Sequence, residues 1–271
     1  MLVWKDGQSG TIGGGALELE AVTQARRMTP SVARVPLGPA LGQCCGGAVT
    51  LVTEVFDAGI MPALNTDGYA RRVEGLCEQP LSITRAIAHM RNGSDNALVF
   101  SDGWLYEPTS PARAPLWVWG AGHVGRAIVA SLAPTQLFDI TWVDSSPERF
   151  PPPTPNVTHL CAATIPDAAK LAPRDAQHLI LTYSHSYDLE LCHRLLAHGF
   201  SGVGLIGSTT KWARFRSKLR DLGHESAKIS GIRCPIGQPA LGKHPQAIAV
   251  GVASELLLLL QTNTVGKDVA I

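Results

Sequence analysis

The segment Leu116-Trp-Val-Trp-Gly120-Ala-Gly122-His-Val-Gly125-Arg126 constrains this chain more than any other. A short apolar run passes without a linker into GxGxxG, and a helical pattern opens at once behind it. That order is the start of a βαβ unit, in which Gly120 makes the tight turn, Gly122 lets backbone approach a phosphate, and Gly125 allows close packing of helix on strand. A dinucleotide site also needs an acid about 20 residues on, at the end of the next strand. Asp144 stands there. It would bond ribose hydroxyls and repel a 2′-phosphate, favouring NAD over NADP if a dinucleotide binds. The alternative is a turn retained for packing or for a different phosphate, since fold alone does not fix function.

The alternation continues behind this turn. Strands are expected over 116–119, 139–143, 178–183 and 203–206, and helices over 124–132, 189–198 and 211–222. Ser186 and Asp188 read as the start signal of the second helix, and Ser208, Thr209 and Thr210 as that of the third; Gly199 and Gly223 stop them. The run Phe150-Pro-Pro-Pro-Thr-Pro155 reads as a surface loop. Ala247 to Leu260 reads as a buried helix: Gly251, Ser254 and Glu255 interrupt it, and it falls short of the roughly 20 residues that span a membrane. Before this region, Glu107-Pro-Thr-Ser-Pro-Ala-Arg-Ala-Pro115 carries three prolines, which deny helix and central strand alike. A boundary there predicts two domains, 1–110 and 111–271. The first is mixed α/β, with a helix over 16–27 and strands over 48–56 and 97–100. The second is a Rossmann-like, doubly wound parallel sheet.

Lys and Arg total 23 against 22 Asp and Glu, so neither nucleic acid nor a membrane surface is expected as a partner. At the start, Lys5 and Asp6 follow a very short apolar run and do not read as a leader, so a cytoplasmic location is expected. The six cysteines have no CxxC pair, which argues against a disulfide framework and a zinc site and for reduced thiols.

Two of them form the most unusual signal. In Leu41-Gly-Gln43-Cys44-Cys45-Gly46-Gly47, adjacent thiols sit between glycines that let a bulky ligand approach the backbone. Thiolates suit a metal or a sulfur-bearing centre, and Gln43 could hydrogen-bond such a ligand. A disulfide between them is disfavoured, because neighbouring Cα atoms lie about 3.8 Å apart where roughly 4.4 to 6.8 Å is usual. The bland alternative is two small buried residues in a tight loop, and Cys77, Cys161, Cys192 and Cys234 are assigned to that class. A third glycine run, Gly10-Thr-Ile-Gly13-Gly14-Gly15-Ala-Leu-Glu18, could present backbone N–H groups to a phosphate; Glu18 equally suits the positive end of a helix dipole. His185, at a strand end, and His123, inside the fingerprint, are candidates for moving protons, or else capping and packing residues. Lys211, Arg214, Arg216, Lys218 and Arg220, interleaved with Trp212 and Phe215, read as an amphipathic helix with charges outward and aromatics inward.

Taken together, GTIGGGALE (10–18), LGPALGQCCGG (37–47), GAGHVG (120–125), IGSTTKWARF (206–215) and CPIGQPALGKHPQAIAVGVASELL (234–257) resemble the xanthine dehydrogenase accessory protein family, XdhC. The resemblance implies a protein that binds the molybdenum cofactor (molybdopterin), protects it while a cysteine desulfurase supplies its sulfido ligand, and delivers it to the molybdenum subunit of xanthine dehydrogenase. It also implies a homodimer and no redox catalysis of its own. By position, Cys44 and Cys45 fall in the family's cofactor loop, where they would contact molybdenum or a cofactor sulfur. Glu18 ends its glycine motif, and His185 with Asp188 falls in its second-domain motif. Family members carry a Gly-Ser-Ala-Pro-Arg-like stretch ahead of the part matching Met1-Leu-Val, so this chain is expected to begin inside the first domain. Two other readings compete. An NAD-dependent oxidoreductase would use GAGHVG, Asp144 and His185. An interaction protein would use only the basic helix.

Overall fold

The computed structural model describes residues 1–38, 47–56, 68–91, 98–108 and 113–265. The chain divides into two compact units, Met1–Ser110 and Pro111–Ile271.

The first unit is mixed α/β. A hairpin pairs β1 (Leu2–Trp4) with β2 (Gly7–Ser9), and helix α1 (Gly15–Ala25) follows. Strands β3 (Ser31–Pro36) and β4 (Ala48–Thr53) form an antiparallel pair. The antiparallel sheet β5-β7-β6 joins β5 (Tyr69–Arg72), β7 (Trp104–Glu107) and β6 (Val99–Ser101), with helix α2 (Leu81–Arg91) packed on it. Its described core is small: Leu17, Val22, Ile83, Leu105 and Tyr106 are the buried apolar side chains. Arg71 binds Glu54 and Glu107 there and lies over the Tyr69 ring.

The second unit is a six-stranded parallel sheet of order β10-β9-β8-β11-β12-β13. Its strands are β8 (Ala114–Trp119), β9 (Phe138–Asp144), β10 (Val157–Cys161), β11 (Gln177–Ile180), β12 (Gly202–Leu205) and β13 (Ile232–Arg233). In chain order the first strand is central and its successors go out to one side, then to the other. This is the 3-2-1-4-5-6 arrangement of a dinucleotide-type fold, with its switch point between β8 and β11.

A central parallel strand is covered on both faces and so reads as a continuous apolar run, its alternate residues feeding different layers. In β8, Trp117 and Trp119 enter one core, with helices α4 (His185–His198) and α5 (Thr209–Asp221) above them. Leu116 and Val118 enter the other, beneath helices α3 (His123–Leu132) and α7 (Pro245–Val265). Gly204 belongs to the second face because a Cβ there would lie 1.9 Å from Ile236 Cδ1. A short helix, α6 (Ser226–Ile229), precedes β13.

Three expectations need correction. Helix α4 starts before Ser186 and Asp188: its cap is Ser184, whose Oγ accepts the Tyr187 N–H at 3.4 Å, and the preceding strand ends at Ile180. Helix α7 is not buried all round. Ala249, Val252 and Leu256 line one inward face, while Val250 and Leu258 are about 60% exposed. Of the four cysteines assigned to the interior, Cys192 is buried and Cys234 half-buried, but Cys77 and Cys161 are exposed. Among the described residues no helix is long and apolar enough to cross a membrane.

Candidate functional site

The turn after β8 is held from three directions. The Gly120 N–H donates to Val143 O, the Gly120 carbonyl accepts the Trp142 indole N–H at 3.0 Å, and the Ala121 N–H donates to Asp144 Oδ2 at 2.5 Å. Gly120 has φ +119°, and a Cβ on it would sit 2.4 Å from Leu181 O. On Gly125 a Cβ would sit 2.1 Å from Gly120 O, so the start of α3 packs directly on the turn. Gly122 differs, since nothing lies within 4 Å of the Cβ it lacks. The first and third glycines are therefore required by packing, and the middle one opens onto free space.

That space is a cleft of about 480 Å³ at the carboxyl edge of the sheet, over the switch point. The starts of three helices meet in it: Gly122, His123 and Val124 of α3, Tyr183, His185 and Asp188 of α4, and Gly207, Ser208 and Lys211 of α5. Ser184 and Ser208 cap α4 and α5 with their side chains, whereas α3 has no side-chain cap. Unpaired N–H groups at a helix start favour an anion.

Lys211 does not point outward with the rest of the basic helix. Its ammonium contacts Asp188 Oδ2 at 2.6 Å and Ile206 O at 3.0 Å, and its side chain is 12% exposed. Asp188 is buried and accepts the Thr182 N–H and Oγ–H through Oδ1. The resulting network fixes the β11–α4 and β12–α5 turns to each other. Phe215 turns inward as expected. Sequence reasoning read Asp188 as a helix-start signal and, by resemblance, as part of a family motif, and missed its pairing with Lys211, because no local pattern links residues in different helices. His123 and His185 both line the cleft with exposed rings.

Asp144 is fully buried. Beyond its bond to Ala121, its Oδ1 accepts the Ser145 N–H at 2.7 Å, and Arg149 Nε lies 2.7 Å away as an ion pair. Burial alone would raise its pKa, but the Ala121 and Ser145 N–H groups and the Arg149 charge outweigh it and hold the carboxyl below its ordinary value. The acid expected to meet a ribose thus braces the glycine turn.

Glu18 plays a comparable part in the first unit. Its carboxylate accepts the Thr11 hydroxyl at 2.5 Å, the Ile12 and Gly14 N–H groups at 2.9 and 3.1 Å, and the Gln8 amide at 3.0 Å. The Thr11 hydroxyl first, then the two backbone donors, hold its pKa down to about 2. Gly13 donates instead to Thr11 Oγ1. Gly13, Gly14 and Gly15 all have positive φ, so the loop is built to wrap an anion, and Glu18 is the anion it wraps. Gln43, Cys44, Cys45 and Gly46 lie outside the described residues. Gly47, with φ +112° and open space around it, leads into β4. Among the described residues no group of three or more His, Cys, Asp or Glu could hold a metal ion.

The family described as the XdhC Rossmann domain matches residues 116–256, which include the glycine turn, the cleft and most of α7. The chain belongs to the XdhC family. Over 150 residues this XdhC member is 32% identical to the uncharacterized protein YqeB of Escherichia coli K12; the match covers 54% of this chain and 27% of YqeB. The chain thus spans about a quarter of the curated relative it matches. A solved structure described as a xanthine dehydrogenase from Bacillus halodurans superposes with a TM-score of 0.62, covering 94% of this chain and 84% of that one. At 18% identity that likeness speaks to the fold.

Proposed function

We propose that this XdhC member is a xanthine dehydrogenase accessory protein. In this reading it binds molybdenum cofactor, shields it while a cysteine desulfurase sulfurates it, and delivers it to the molybdenum subunit of xanthine dehydrogenase. Beyond family membership, one observation carries the reading: a cleft at the switch point where the uncapped start of α3 meets the open Gly122. An anionic phosphate ester, such as the one molybdopterin bears, suits such a site. When bound, the cofactor supplies a dithiolene-held metal whose chemistry belongs to the enzyme that receives it.

The cleft's own residues suit holding more than turnover. Asp188, the carboxylate lining it, is committed to Lys211 and Thr182. Gly122 and the α3 N–H groups would take the phosphate. By resemblance alone, Cys44 and Cys45 of the first unit are also proposed as cofactor-binding thiols. The protein is proposed to act in the cytoplasm and as a homodimer.

The test is anaerobic incubation of the purified apoprotein with molybdenum cofactor, followed by gel filtration and transfer to apo-xanthine dehydrogenase. Co-elution of molybdenum and pterin near one per chain, with activation of the enzyme on mixing, is the expected result. Cys44→Ala or Cys45→Ala should abolish co-elution. Failure of the wild-type protein to retain the cofactor refutes the proposal.

A further inference from the structure

Helix α5 carries cations that no acid of the second unit neutralises. Arg214, Arg216, Lys218 and Arg220 are exposed, and among the described residues none of them makes an ion pair. Arg220 Nε donates to the Arg216 carbonyl at 3.3 Å, which leaves its charge uncompensated. Residues 214 and 218, and 216 and 220, stand one helical turn apart, so both neighbouring pairs are of like charge and repel. Helix α4 shows the usual remedy: Arg194 pairs with Glu190 one turn earlier and with Asp167. The helix dipole accounts for Lys218 and Arg220 in the last turn of α5, but not for Arg214 and Arg216 further in.

The orientation of this row is fixed from the other side of the helix. Phe215 and Leu219 are buried, and Lys211 is tied to Asp188, so the four cations are held toward solvent. Leu222, 51% exposed, extends the row of Arg214 and Lys218 with an apolar side chain. The 13 residues of α5 span about 20 Å, the scale of one patch on a protein surface. Three of the four cations are Arg, whose planar fork pairs with carboxylates through two parallel hydrogen bonds. Nucleic acid and an anionic bilayer fit this face less well, because the exposed acids Asp221 and Glu225 follow the row and the chain's net charge is only +1.

We propose that the outer face of α5 docks a carboxylate-rich protein surface, that of the enzyme receiving the cofactor. Only the identity of this partner rests on the function proposed above. Exposed charges speed encounter more than they prolong a complex, which suits a protein that must deliver and leave.

The test measures association of the cofactor-free full chain with apo-xanthine dehydrogenase by surface plasmon resonance, at low and at high salt. Arg214→Glu combined with Arg216→Glu should weaken binding at low salt at least about tenfold, chiefly through the association rate, and high salt should weaken the wild type. This reversal turns both like-charge pairs into attractive ones, so the melting temperature should not fall, and molybdenum co-elution should be unchanged. Arg214→Gln with Arg216→Gln should give a smaller loss in the same direction. No association, binding indifferent to salt, or wild-type binding by the reversed variant overturns the proposal. So does an equal loss from Arg34→Glu with Arg85→Glu on the first unit, or tighter binding of duplex DNA or anionic vesicles through the same arginines. Cofactor loading with docking independent of α5 removes this proposal alone, whereas salt-sensitive docking through α5 without loading removes only the chaperone role.

Discussion

Replacing His178 by Leu would expose how the second unit responds to acid. His178 lies on β11 with 1% exposure, and its Nδ1 accepts the Trp119 indole N–H at 3.2 Å. The imidazole proton therefore resides on Nε2, which has no hydrogen-bond partner. Burial first, and the His198 charge second, lower its pKa from 6.5 to about 3. The unfolded chain thus takes up a proton near pH 6.5 that the native protein refuses until about pH 3. Stability is lost as pH falls below 6.5, and the loss saturates below about 3. Between pH 7 and pH 5 this one group accounts for about 2 kcal/mol, from 1.36 kcal/mol per pH unit over the window. At pH 7 the variant loses an acceptor for Trp119 and sheds an unpaired N–H, so its stability should stay within about 1 kcal/mol of wild type. Urea unfolding followed by tryptophan fluorescence at both pH values reads the difference. Wild type should lose about 2 kcal/mol more than His178→Leu on acidification. Equal losses, within the roughly 10–15% error of extrapolation, would refute a buried neutral histidine.

Lys211→Met leaves the Asp188 carboxylate buried without its cation and should cost about 3–5 kcal/mol in urea unfolding; adding Asp188→Asn should recover most of it. If the single and double variants are equally unstable, the ion pair is not the reason. Gly125→Ala forces a Cβ to 2.1 Å from Gly120 O and should cost about 1–3 kcal/mol, whereas Gly122→Ala should leave the melting temperature unchanged. Equal melting temperatures for the two variants would contradict the packing described for this turn. Glu18 has its pKa lowered from 4.5 to about 2, so its contribution is complete above pH 4.5 and disappears as pH falls toward 2. Protection factors of the Ile12 and Gly14 amides, each rate taken against the intrinsic exchange rate at the same pH, should fall across that window in wild type. Glu18→Gln should make them low throughout; equal protection in the two proteins would contradict this role of Glu18.

The sequence alone determined the second unit's architecture, because each feature that specifies it is local. An apolar strand, a glycine turn and a helix at this spacing read as the first βα step of a parallel sheet. Strands formed within the segments expected over 139–143, 178–183 and 203–206, the second stopping at Ile180; β10 and β13 were not legible. Gly120 and Gly125 were legible for the same reason, since their need for no side chain arises within the turn itself. What required the tertiary structure was the use made of each polar group. Asp144 stands where a ribose-binding acid belongs, but burial and the Ala121 N–H turned it into a brace. Glu18 satisfied a loop that could as well have wrapped a phosphate. Lys211 reads as one charge among several on a solvated helix, yet it paired inward with Asp188, a residue of another helix. Hydrogen-bond partners distant in sequence leave no periodicity to read, so a polar group's role is settled only when the fold decides which neighbours reach it and whether water can.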